Sequence, residues 1–147
     1  AEMLGLKPLG FIKSYAHASP NSRKEPFISM GYAACAALRK AGLTLQNMDL
    51  IEWHESFSVQ VLANMNAFKS GLIALNGTGG ESCRGEVNLD RFNVSGGAIA
   101  LGDALSASCG RQIITLLRRL GRRDGKYGLV SIGSAEGPGT SLVLERK

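Results

Sequence analysis

A few side chains in this sequence could take part in chemistry, and their placement limits what each can do. His54 and Glu55 stand together at the end of the apolar run Leu50-Ile51-Glu52-Trp53. Glu55 could act as a base, but a carboxylate just past a strand reads first as a group that holds neighbouring loops. Asp103 precedes Ala104, where a helix begins. A carboxylate there accepts backbone N–H groups as an N-cap, and that reading is preferred to a catalytic one. Cys109 has no base near it in sequence, so it is not read as a nucleophile. His17 lies in a strand before a turn and reads as structural. The glycine-rich stretch 133–139 has the composition of an anion-binding nest without the spacing of a P-loop. Gly96-Gly97 reads as a place where the backbone approaches a neighbouring element closely.

The remaining cysteines add little. Cys35, Cys83 and Cys109 have no metal-ligand spacing, and an odd count argues against a disulfide framework. Cys35 and Cys109 sit in apolar, helical contexts and read as buried, inert thiols. A reducing compartment is the simpler setting. No metal site is expected.

The elements that must position these groups alternate. Phe11 to Ala18 reads as a strand, followed by turn chemistry at Ser19-Pro20-Asn21-Ser22. Tyr32 to Lys40 reads as a helix stopped by Gly42. Leu50 to His54 is a short strand, and Ser58 to Lys69 a helix closed by Gly71. Residues 70–90 read as a loop, and Val94 as part of a further short strand. A third helix is expected from Ala104 to Leu120, ending at Gly121. Its early turns carry small and apolar residues all round, the pattern of a helix buried on every side. Two strands, Tyr127 to Ile132 and Ser141 to Glu145, close the chain as a hairpin. The expected class is α/β: a mixed five-stranded sheet covered by helices.

Composition sets broad bounds. A chain of 147 residues fits one domain with a real core, or half of a larger architecture. The net charge of +5 is scattered except at Arg118-Arg119 and Arg122-Arg123. A scattered excess reads as solvated surface, so no nucleic acid is expected as a partner. No apolar run reaches the ~18 residues that a membrane span needs. The opening Ala1-Glu2-Met3-Leu4-Gly5 reads as the frayed end of a helix, as if the chain began partway through a fold.

Three blocks carry a resemblance. Asn93-Val94-Ser95-Gly96-Gly97-Ala98-Ile99-Ala100-Leu101-Gly102-Asp103 resembles the thiolase motif Asn-x-x-Gly-Gly-x-Ile-Ala-x-Gly-His-Pro. Trp53-His54-Glu55-Ser56-Phe57-Ser58-Val59-Gln60 resembles the family's Asn-Glu-Ala-Phe block, in the His-Glu-Ala-Phe form of the mitochondrial trifunctional protein's β subunit. Tyr127 to Gly139 is similar to the family's final strand and glycine loop. The blocks fall in order and in register, and the resemblance covers essentially the whole chain, 1–147, as a thiolase C-terminal domain.

The resemblance implies a nucleophilic Cys in an N-terminal domain and a His in the Gly-His-Pro segment that activates it. It also implies a second Cys that moves the substrate α-proton, and an oxyanion site built with the Asn or His of the first block. In this sequence the activating His falls on Asp103, and Ala104 replaces the following Pro. The second Cys falls on Gly133, or on Ser131 or Ser134 if the register slips. Only His54 and Glu55 stand where functional residues of the family stand; with its partner gone, His54 reads as a residue satisfied by local hydrogen bonds before half of an oxyanion site. Gly96, Gly97, Gly137 and Gly139 would shape the thioester pocket by the same resemblance, so a coenzyme A thioester is the one ligand implied, and no cofactor is required. In complete thiolase subunits two such halves stack, with central helices between two sheets. The helix at 104–120 would then be an interaction surface for the other half, a second copy or a larger assembly. The expected function is a structural or interaction module that has lost its catalytic groups. The alternatives are a segment of a 3-ketoacyl-CoA thiolase of fatty acid β-oxidation completed by another segment, or an acyl-CoA-binding module. A mitochondrial location is implied by the resemblance alone.

Overall fold

The computed structural model describes residues 2–20, 27–73, 83–134 and 137–147. Asn21, Ser22, the middle of the expected 70–90 loop and the pair Ala135-Glu136 lie outside the described residues. The chain runs β1 (Phe11–Ala18), α1 (Ser29–Ala41), β2 (Leu50–Trp53), α2 (Ser58–Ser70), α3 (Ala98–Leu101), α4 (Ser108–Arg123), β3 (Tyr127–Gly133) and β4 (Gly139–Glu145). The strands form one sheet in the order β1-β4-β3-β2. β4 is antiparallel to both β1 and β3, while β2 runs parallel to β3. The hairpin is as expected, with Ser131 opposite Ser141 and Gly133 opposite Gly139.

Alternation along β3 and β4 divides the core. Leu129 and Val143 face α1 in a large cluster that includes Leu38, Ile51, Trp53 and Phe68. Val130 and Leu144 face the other way, with Leu50, against Leu116 and Leu120 of α4. Helices therefore cover both faces of the sheet. Each helix end has a local cause. Gly42 takes the left-handed conformation (φ 68). Its N–H bonds Arg39 O at 3.0 Å, and the Leu43 N–H bonds Leu38 O at 3.0 Å. Gly71 (φ 76) stops α2 in the same region of backbone space.

The sheet has four strands among the described residues, not five. The fifth was expected at Val94. Phe92 makes a single parallel bridge to Ile51, and the chain then turns away because Asn93 is left-handed (φ 41). Val94 ends against the smaller core under α4. The last helix also differs. A 3-10 turn at Leu105–Ala107 precedes α4, and Gly121 does not end the helix. α4 runs on to Arg123, and Asp124 (φ 53) takes the left-handed position instead. Nor is this helix buried all round. Ser108, Gln112, Leu116 and Leu120 form one buried stripe at four-residue spacing. Leu105 is 78% exposed and Ile114 52% exposed, because the sheet covers only one side of the helix.

Cys35 and Cys83 form a disulfide with Cα atoms 5.1 Å apart. The odd cysteine count pointed away from this pairing. A count constrains a framework, not a single pair, and the geometry here suits a bridge between two fully buried residues. Cys109 is the free thiol, half-buried, and burial raises its pKa. No helix of the described residues is long and apolar enough to cross a membrane.

Candidate functional site

The site is assembled at the carboxyl end of β2. The His54 N–H donates to Ser131 O at 2.8 Å, which carries the β2–β3 pairing one step past the strand. Asn93 then stands in for a strand partner. Its Oδ1 accepts the Trp53 N–H at 2.9 Å and its Nδ2 donates to Trp53 O at 3.0 Å. The same Nδ2 donates to Glu55 Oε1 at 2.6 Å. Glu55 Oε2 accepts the Ile99 N–H at 3.1 Å. Glu55 is thus a clamp across the 93–99 turn, as its position in sequence implied. A Cβ at Gly97 would overlap the Glu55 carboxyl group, so a side chain there would displace the clamp. Gly96 (φ +87) supplies the left-handed turn that precedes it.

The turn delivers Asp103. Its Oδ1 accepts the Leu105 N–H at 3.0 Å and the Ser108 hydroxyl at 2.5 Å. The Ala104 N–H bonds Ser108 Oγ at 3.0 Å. Asp103 is thus the acceptor of a local turn and not the expected N-cap: Ala104 stands at the N-cap of the 3-10 turn and Ala107 at that of α4, neither with a side-chain cap bond. Asp103 Oδ2 faces His54 Nε2 at 3.7 Å. The Ser108 hydroxyl holds the Asp103 pKa below the ordinary carboxylate value, helped by the Leu105 N–H and the charges of His54 and Arg111, with burial opposing. His54 is 6% exposed, and its Nδ1 is buried with no hydrogen-bond partner, so the ring is not satisfied by local hydrogen bonds as the sequence suggests.

His54, Asp103 and Gly133 line one open cleft of about 580 Å³. Hydroxyls of Ser56, Ser106, Ser134 and Thr140 share its wall. Thr140 Oγ1 is 2.8 Å from His17 Nδ1, a contact that ties His17 to the hairpin. The lining holds a single imidazole and no sulfur. All three cysteines and both histidines of the sequence lie among the described residues, so none is left to complete a thiol–imidazole pair in this chain. Gly133 is packed from behind: a Cβ there would lie 3.1 Å from both Met30 Cβ and Ser29 Oγ.

Gly96, Gly97, Gly137 and Gly139 are not among the described residues that line this cleft. Gly96 and Gly97 stand against Leu101 and Glu55, not on the cleft wall. Gly139 faces the start of α1, where a Cβ would collide with Ser29 O. The Ser134 N–H is spent on Pro138 O at 2.8 Å and the Gly137 N–H on Ser134 O at 3.2 Å. These two described amides therefore bond within the loop.

Four neighbours were not singled out from sequence: Asn93 as a clamp, Ser108 as the partner of Asp103, Glu52 of β2 and Arg111 of α4. Glu52 carries a readable signal, an acid inside the apolar run of β2. It is 1% exposed, and burial raises its pKa to about 7 against the pull of Arg111. No group of three or more metal-ligating side chains occurs among the described residues.

An α/β sheet with helices on both faces and a cleft between the ends of β2, β3 and α4 defines the class. The model of the thiolase C-terminal domain matches residues 6–146, and the chain belongs to that family. It is 41% identical over 145 residues to the 3-ketoacyl-CoA thiolase of Photorhabdus laumondii subsp. laumondii, covering 99% of this chain and 33% of that protein. It is 40% identical over 145 residues to the 3-ketoacyl-CoA thiolase of Alteromonas mediterranea, with the same coverage of 99% and 33%. The crystal structure of human mitochondrial 3-ketoacyl-CoA thiolase superposes with a TM-score of 0.79 at 30% identity, over 99% of this chain and 32% of that one. Its complex with CoA gives 0.77 at 31% identity, again over 99% and 32%. The chain thus spans about a third of the length of these relatives.

Proposed function

We propose that this domain keeps the thiolase scaffold without its reactivity and serves as a structural or interaction module. The observation that carries the reading is Asp103, fixed by Ser108 and Leu105 where the family's activating imidazole falls. A carboxylate cannot stabilise a neighbouring thiolate, and like charge raises a thiol's pKa. It also opposes negative charge developing on a thioester oxygen, which an oxyanion site must favour. Gly133 has no proton to transfer, and Ser29 and Met30 crowd the space a side chain would need. Loss of groups that act as a unit removes most of a rate at the first loss.

A second reading has its own support. Ile99, Leu101, Leu105 and Ile114 are all more than half exposed on and just before α4, and the chain covers a third of its relatives. Such a face fits a domain completed by another segment, which would supply the nucleophile of a 3-ketoacyl-CoA thiolase. A coenzyme A thioester would then lie in the cleft beside His54. The mitochondrial setting is supported by the human neighbour alone, and the two relatives named above are bacterial.

The experiment is thiolysis of a 3-ketoacyl-CoA by the native material, with its mass determined under the same conditions. The module reading expects no turnover above background whatever the assembled mass. Robust turnover by an assembly containing this chain would establish the second reading instead.

A further inference from the structure

A second groove, of about 400 Å³, lies between the segment before β1 and the end of α4, and it shares no residue with the cleft. A Cβ at Gly10 would collide with Leu117, so the two walls meet closely there. Arg146, just after β4, adds to the wall and is held in place. Its Nε donates to Gly125 O at 2.9 Å, and its Nη2 pairs with Asp124. The Lys147 ammonium lies 5.0 Å from the centroid of the Phe11 ring.

The charge of this groove is of one sign. Lys7, Arg118, Arg122, Arg146 and Lys147 line it, and no carboxylate does among the described residues. The fold thus gathers part of the basic excess that is scattered in the sequence. Lys7, Arg118, Arg122 and Lys147 enter no ion pair among the described residues. Leu9, 51% exposed, and the half-buried Leu117 supply an apolar stretch of the same wall.

We propose that this groove binds an extended acidic segment of another polypeptide, with carboxylates on alternate residues and an apolar side chain beside them. Cations gathered in one concavity reinforce each other's field and draw in negative charge. Their spacing decides the form of the occupant. Arg118 and Arg122 stand about 6 Å apart along the axis of α4. Side chains on alternate residues of an extended chain, on one face, are about 6.6 Å apart. Two such carboxylates can therefore meet the two guanidinium groups together. Leu9 and Leu117 favour a segment that also carries an apolar side chain over a bare inorganic anion. No aromatic ring lines the groove, so the bases of a nucleic acid would find nothing to stack on. A recess between two elements admits a single chain, whereas a flat lipid surface would touch only its rim. The inference does not rest on the cleft having lost its chemistry, so peptide binding and thiolysis can each fail alone.

The test is fluorescence anisotropy of a capped, labelled peptide, Glu-Ser-Glu-Ser-Leu, titrated with the whole chain at low salt. Binding should saturate and should weaken about tenfold or more at high salt. Arg118→Gln with Arg122→Gln should weaken it about tenfold, the loss of two ion pairs. Lys40→Gln with Lys126→Gln removes the same charge outside the groove and should leave it unchanged. Equal losses in the two double variants would make the attraction one of net charge and overturn the proposal. A peptide of the same composition with adjacent glutamates should bind at least about threefold more weakly. Equal affinity for the two peptides overturns the proposal without any variant having to fold. Tighter binding to phosphatidylserine vesicles or to oligothymidylate, lost in the Arg118→Gln and Arg122→Gln variant, overturns the assignment to a polypeptide. Absence of saturable peptide binding overturns it outright.

Discussion

Replacing Gly97 by Ala probes the site most economically, because one methyl group meets one identified obstacle. The new Cβ would occupy the space of the Glu55 carboxyl group. That carboxylate cannot step aside without giving up the Asn93 amide at 2.6 Å and the Ile99 N–H at 3.1 Å. Hydrogen bonds to a charged partner contribute ~1.5–3 kcal/mol each. Glu55 is only half-buried, so the lower end applies, and the pair sums to ~3 kcal/mol. A domain of this size has ~5–15 kcal/mol of stability in total, so the loss is readily measured. Glu55→Ala gives up the same two bonds and should cost a similar amount. The two changes should not add. Once Glu55 is gone, the three atoms nearest the new Cβ are gone with it, and the alanine costs ~0.5 kcal/mol or less. The double-mutant cycle, read from urea denaturation of the four proteins, should therefore give a coupling of ~2–3 kcal/mol. Additive losses would refute the clamp. A small effect of Glu55→Ala alone would do the same, and would return Glu55 to the candidates for a proton-transferring role.

Three further expectations follow from separate parts of the fold. Glu52 has a raised pKa, so its contribution to stability is full below its ordinary value of 4.5 and is lost as the pH rises through about 7. The drop across that window should approach ~3 kcal/mol, and thermal melts of Glu52→Gln should lack it; equal pH slopes in the two proteins would refute the assignment. Gly139→Ala drives a methyl into the Ser29 backbone oxygen, which cannot yield, whereas Gly133→Ala meets Met30 Cβ and the rotatable Ser29 hydroxyl at 3.1 Å. The first should cost ~3 kcal/mol and the second ~1 kcal/mol in denaturant melts, and the reverse order would contradict the described approach of α1 to the hairpin. The Cys35–Cys83 bridge spans 48 residues. In the chain-entropy account, Cys35→Ser with Cys83→Ser should cost ~4 kcal/mol, and an unchanged melt under reducing and oxidising conditions would show that the bridge does not form.

The sequence made the order of elements and the punctuation by Gly42 and Gly71 readable, because these are local matters of turn chemistry. The seating of His54, Asp103 and Gly133 around one cleft was readable through the motifs. The loop-holding reading of Glu55 follows from its neighbours in the chain, whereas Asp103 caps no helix because α4 begins only at Ser108. Other features depend on contacts far apart in sequence. Val94 has strand character, but Asn93 next to it takes a left-handed conformation to bond Trp53, forty positions away. Gly121 looks like a stop, yet Leu120 is packed under the helix and carries it on to Arg123. The small residues opening α4 fit close packing, but only one stripe finds a cover within this chain. The Cys35–Cys83 bridge and the basic groove beside α4 need the tertiary fold before either can be seen.

The central claim is that the cleft cannot activate a thiol while Asp103 occupies it. The most direct measurement joins the N-terminal two thirds of the Photorhabdus laumondii relative to this chain and follows thiolysis of a 3-ketoacyl-CoA. The account expects a folded chimera with no turnover, and measurable turnover once Asp103→His and Gly133→Cys are introduced together. Turnover by the unmodified chimera at a rate near that of the relative would contradict it.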